Sequence, residues 1–169
     1  MRPYQIAGVA GCRWCLTDPG AEPGDPLRAL ADALCAKEVL GDLLSSIGVD
    51  AGLLRRTLAD EPDLAAAQIT ASLNGLAGAL RAEGGEEGPA VRLVLVVDPL
   101  EGLLSEDMPP PQRERYCRAL TALAANGSAW VVAVLGSAYL NDVTLLGDLG
   151  SLAVGPGWMA MGAPPAVRI

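Results

Sequence analysis

Histidine is absent from the 169 residues. Its absence removes the Ser/His/Asp and Cys/His nucleophilic systems and the common zinc sites, all of which rest on imidazole. Lysine occurs once, at Lys37, so the basic complement is almost entirely arginine, as in a GC-rich coding sequence. Basic residues are scarce as a class: 12 stand against 20 acidic ones, for a net charge of -8. Polyphosphate backbones and anionic lipid both require a cationic footprint, so neither nucleic acid nor a membrane surface is expected as a partner. No apolar run approaches the roughly 20 residues of a bilayer span. Internal repeats and low-complexity tracts are also missing.

The four cysteines, Cys12, Cys15, Cys35 and Cys117, include one CxxC pair but no histidine to complete a zinc set. They read as reduced, partly buried thiols. Val9-Ala10-Gly11-Cys12 has the look of a lipoprotein cleavage box, but the segment before it is short and interrupted by Pro3, unlike a signal peptide. A cytoplasmic protein is expected. At this length the chain is one domain, 1–169, large enough to bury around two thirds of its unfolded surface.

What the chain does possess is a run of branched apolar residues at 91–103, VRLVLVVDPLEGL, closed by Asp98 with Glu101 three positions later. Side chains alternate between the faces of a strand, so Val91, Leu93 and Leu95 on one side and Val94 and Val96 on the other predict a parallel-sheet strand buried on both faces, with helices on each. A carboxylate at the carboxyl end of such a strand stands where open α/β sheets bind ligands. Asp98 equally reads as a cap of the turn before Pro99.

Around this strand the pattern is helix-rich in the N-terminal half. Short strands are expected at 4–10 or 13–17. Asp25-Pro26 starts a helix with Leu27, Leu30, Ala31 and Leu34 inward. A second helical piece runs through Val39, Leu40, Leu43, Leu44 and Ile47 to a stop at Gly48, and Asp50 starts a third that ends before Pro62. Residues 62–81 predict a long helix with Ile69, Leu73, Leu76 and Leu80 on one stripe. The glycine-rich acidic loop 82–89 leads into the central strand. After the irregular SEDMPPP segment, a helix over about 112–125 stops at Asn126-Gly127, and 129–135, AWVVAVL, forms a second apolar strand ending in Gly136 and Ser137. Strand, helix, strand at this spacing is a parallel crossover. A last helix is expected over 139–149, a short strand over 151–154 and an extended piece over 166–169.

The segments DPLEGL (98–103) and WVVAVLGSAY (130–139), joined by an acidic, proline-rich loop and a helix, resemble the novel STAND-type NTPase domain of bacterial signalling proteins. There a strand ending in an Asp-Gln-Phe-Glu-Glu-Leu-like motif precedes a WVVATLRSDF-like strand. PGAEPGDPLRALADAL (19–34) is similar to that family's stretch after its second strand. The resemblance spans most of 13–149. It implies a three-layer α/β sheet of P-loop NTPase type, partial or degenerate, Asp98 as the Walker B carboxylate of the Mg2+ site, Glu101 as the catalytic residue that orients water, and Ser137 at the cofactor site for ATP. The departures are Pro99, Leu100 and Gly102 within the motif, and Gly136 where the family often has an arginine able to sense the terminal phosphate.

GxxxxGK[ST], the phosphate-binding loop, requires a lysine at a helix start after a glycine-rich turn. Lys37 has no such turn before it. The chain is therefore expected not to bind Mg2+ or ATP alone. In the family's fold the phosphate-loop strand lies beside the second apolar strand, so residues 130–135, Trp130 to Leu135, are expected to form an open apolar edge. The N-terminal segment 4–10, a second copy, or an upstream portion of a longer protein would cover it, the last being favoured. Two functions follow: the Walker B part of a STAND-like ATPase switch, or a non-catalytic, degenerate NTPase-fold module that binds a protein partner or itself through that edge. An unrelated doubly wound ligand-binding domain using Asp98 is a third.

Overall fold

The computed structural model describes residues 9–22, 24–84, 90–127 and 129–153. Three strands, β1 (Val9–Thr17), β2 (Ala90–Val97) and β3 (Ala129–Ala133), form a parallel sheet in the order β1-β2-β3. The apolar run that ends at Asp98 is thus the central strand, as its composition predicts. The expected strand at 13–17 is the second half of β1. Of the alternative at 4–10, residues 4–8 lie outside the described residues and the last two belong to β1.

The helices begin and end where side chains satisfy the backbone. Asp25 caps α1 (Pro26–Leu34) by accepting the Arg28 amide, and Asp50 caps α3 (Ala51–Asp60) by accepting that of Leu53 at 2.7 Å. Between them lie a π-helical turn, Lys37–Gly41, and α2 (Asp42–Ser46). Gly48 and Gly127 have positive φ and close α2 and α5 (Pro110–Ala125) as the sequence predicts. The long helix α4 is Pro62–Gly84, with Ile69 and Leu73 buried but Leu80 exposed, so the inward stripe stops a turn short. The expected last helix is instead a 3-10 segment, Ser137–Leu146, followed by α6 (Asp148–Ala153). The strand expected over 151–154 is contradicted, because residues 151–153 belong to α6. The extended piece at 166–169 lies outside the described residues.

Register shows which side chains share a face. Cys15, Leu95 and Val131 are aligned, as are Thr17 with Val97 and Leu93 with Ala129. The apolar ones join one core with Leu30, Leu34, Leu54, Leu58, Ile69, Leu73, Tyr116 and Leu120 from the helices. Each fully buried leucine among them contributes about 2 kcal/mol by removal from water. The opposite face consists of Cys12 and Arg92, then Trp14, Val94 and Trp130, then Leu16, Val96 and Val132. Val94 on the central strand is buried, but none of these residues belongs to the core cluster on the other side. Trp14, Leu16, Trp130 and Val132 are 64%, 66%, 37% and 48% exposed.

The expectation of helices on both faces is not met among the described residues, where the sheet has two layers. The reason is topological. Parallel crossovers are right-handed, and the chain steps in the same direction from β1 to β2 and from β2 to β3. Both connections therefore fall on one side. Crossovers reach the second face only when the strand order reverses, and these three strands contain no reversal.

Candidate functional site

Asp98 directly follows β2. Its amide donates to the Thr17 carbonyl at 3.0 Å, extending the β1–β2 ladder by one step, and the Asp98–Pro99 peptide is cis. Its carboxylate is exposed and makes no hydrogen bond or ion pair among the described residues. The turn-cap reading therefore has no bond to support it: the 3-10 segment Leu100–Leu104 starts without a side-chain cap.

That segment is drawn beneath the end of β3 by two backbone bonds, from the Leu100 amide to Val134 O at 2.7 Å and from the Val134 amide to Val97 O at 2.9 Å. Glu101 is thereby brought to the turn after β3, where its Oε2 accepts the Gly136 amide at 3.2 Å. A Cβ at position 136 would lie 3.0 Å from Glu101 Oε1, so the glycine suits the close approach of the carboxylate. Ser137, exposed at the start of the next 3-10 segment, neighbours this contact in sequence. The structure thus gathers Asp98, Glu101 and Ser137 at the carboxyl end of the sheet, with Glu101 engaged by backbone.

Two features of this end escaped the sequence reading. Asp18 occupies on β1 the place that Asp98 holds on β2, one residue past the aligned pair Thr17 and Val97. Its Oδ1 accepts the Gly20 amide at 2.7 Å, closing an Asx turn. The same signal that marked Asp98, an acid ending an apolar strand, was present in CLTD. The second feature is Gly102, where a Cβ would sit 2.6 Å from Gly20 N and 2.8 Å from its Cα. The loop after β1 and the segment after β2 meet backbone to backbone, which accounts for glycine where the resembled motif has an acid.

The chemistry of this arrangement is limited. No group of three or more His, Cys, Asp or Glu side chains among the described residues is placed to hold a metal ion. Magnesium commonly takes one or two carboxylates, with phosphate oxygens and water supplying the rest. Asp98 is an exposed carboxylate of the type such a site uses.

Beneath this end, Thr17 Oγ1 and Tyr116 OH are buried with no hydrogen-bond partner. Burial pushes the Tyr116 phenol well above its ordinary pKa, while the nearby Thr17 hydroxyl acts in the other direction. The two oxygens are neighbours without reaching hydrogen-bond geometry. Burial likewise pushes the Cys15 thiol up to about 12 and the Cys117 thiol up to about 11. Cys35 is raised by burial first and by Asp32 and Asp50 second. It lines a shallow depression of about 520 Å³ with Gly41, Ser45, Gly48, Val49, Asp50 and Ala51. The thiols of Cys15, Cys35 and Cys117 are therefore held protonated, the opposite of activated nucleophiles.

Among the described residues no helix is long and apolar enough to cross a membrane. No protein-family model, curated protein or solved structure matches the chain, so what is shown is an α/β fold with a three-stranded parallel sheet flanked by helices, and no family.

Proposed function

We propose that this chain is the Walker B part of a STAND-like ATPase switch in bacterial signalling, and that a phosphate-binding unit must complete it before it holds Mg2+ and ATP. The observation that carries the reading is the position of Asp98: an exposed carboxylate, without a partner among the described residues, at the carboxyl end of the central strand of a parallel sheet. The order β1-β2-β3 agrees with it, since the outer side of β3 is unpaired among the described residues, where the resemblance puts the phosphate-loop strand. In this reading Asp98 supplies the metal carboxylate, Glu101 orients water once released from Gly136, and Ser137 lines the nucleotide site.

The test is complementation. The chain is co-expressed with the polypeptide encoded immediately upstream and the complex is titrated with Mg-ATP. Binding that appears in the complex and is lost in Asp98→Asn supports the reading. An upstream sequence without GxxxxGK[ST], or binding indifferent to Asp98, overturns it.

A second reading, a non-catalytic interaction module of NTPase-like fold, is favoured by one specific observation. Glu101 and Gly102 are both occupied in holding backbone segments together, through Gly136 and Gly20. In that case the DPLEGL segment is a structural clasp, and light scattering shows a defined dimer or hetero-complex that is unchanged by Asp98→Asn.

A further inference from the structure

We infer that the face of the sheet on which no described helix packs is a docking surface for a single amphipathic helix of a partner protein, one whose apolar stripe is flanked by a carboxylate that meets Arg92. This inference is independent of nucleotide binding. It rests on the juxtaposition of Trp14, Leu16, Val96, Trp130 and Val132 around Val94, with Arg92 at one end.

Size and architecture select a helix. Adjacent strands lie about 4.8 Å apart, so the three strand axes span roughly 10 Å, the width of one α-helix with its side chains. All-parallel sheets almost always carry helices on both faces, because each apolar face must be removed from water. Here every described helix that packs on the sheet does so from the other side.

Charge selects the partner's chemistry. Arg92 is the one charged side chain in the three aligned rows of this face, and it has no ion pair or hydrogen bond among the described residues. The same rows contain no carboxylate. A second copy laid face to face would bury two arginines against apolar surface with no anion between them, a costly arrangement. A helix from another protein, apolar on one stripe and acidic at one end of it, satisfies both requirements.

The probe is a synthetic helix of about 18 residues, some 27 Å long, with leucine at i, i+3, i+4 and i+7 spacing and one glutamate beside the stripe, together with a twin bearing lysine there. Binding is read by fluorescence anisotropy of the labelled peptide and by the shift in tryptophan emission. The expected result is saturable binding of the glutamate peptide, weakened about tenfold in Arg92→Glu and restored to that variant by the lysine twin. Trp14→Asp, at an exposed position, abolishes binding while circular dichroism stays unchanged. Four results overturn the inference: no binding, equal binding of both peptides, a homodimer by light scattering that Trp14→Asp dissociates, or binding only after residues 154–169 are removed.

Discussion

Glu101 and Gly136 are joined across the carboxyl end of the sheet, the glutamate Oε2 accepting the glycine amide at 3.2 Å. The bond ties the turn after the central strand to the turn after β3. A hydrogen bond to a charged, half-buried acceptor is worth about 1.5–3 kcal/mol. On that scale Glu101→Ala is expected to lower stability by about 2 kcal/mol in urea unfolding, and Glu101→Gln, which keeps an acceptor oxygen, by less than half as much. Equal stability of parent and alanine variant would show that the contact holds nothing.

Gly102 makes a sharper test of the same region. With Gly20 N 2.6 Å from the position of a new Cβ, one of two backbone segments must move. Overpacking of this kind costs about 1–3 kcal/mol. Gly102→Ala is expected to lower the unfolding midpoint without changing the slope of the transition, whereas an unaffected midpoint would mean that the loop at 18–20 yields freely.

The buried thiols give the protein a marked alkaline sensitivity. The Cys15 and Cys117 pKa values are raised in the folded state to about 12 and about 11. Above the ordinary thiol range the unfolded chain releases these protons and the folded chain keeps them, so the contribution of these groups to stability is complete below about pH 8 and falls as pH rises from there toward about 12. Tyr116 is shifted the same way and adds to the fall. Urea midpoints measured across this range check it, and Cys15→Ala combined with Cys117→Ala flattens the curve. In the native state near neutral pH a thiol reagent leaves Cys15 and Cys117 unreacted until the chain is unfolded.

Local signals carried much of the fold, and nonlocal ones explain what they missed. Asp25-Pro26, Asp50, Gly48 and Asn126-Gly127 mark helix ends because their physics is contained within a few residues. The continuous branched runs of 91–97 and 129–135 identified parallel strands for the same reason, the second ending two residues earlier, at Ala133. The face without a described helix was not legible, since Trp14, Leu16, Trp130 and Val132 look like any buried strand residues until the strand order shows that both crossovers fall on one side. The helix of the tail was hidden by short, glycine-containing sequence around Asp148. At the site, Asp98 was found from its place at a strand end. The engagement of Glu101 by Gly136, and the need for glycine at 102 against Gly20, depend on contacts between distant parts of the chain that no local pattern records.

Asp25 serves two elements at once, capping α1 through the Arg28 amide and pairing with Arg55 Nε of α3 at 2.6 Å. An N-cap is worth about 1 kcal/mol, and a partly exposed ion pair adds up to roughly another. Asp25→Ala is expected to cost more than Asp50→Ala, whose carboxylate caps α3 alone. Thermal unfolding of the two variants side by side decides it, and an equal loss would show that the Arg55 pair contributes nothing.

In the proposed function Asp98 supplies the metal side of a nucleotide switch, and the sequence contains no GxxxxGK[ST] for the phosphate side. Isothermal titration of the 169-residue chain with Mg-ATP puts this to the test. No measurable binding is expected. Saturable binding that disappears in Asp98→Asn would place the phosphate contacts within this chain and contradict the division of the site.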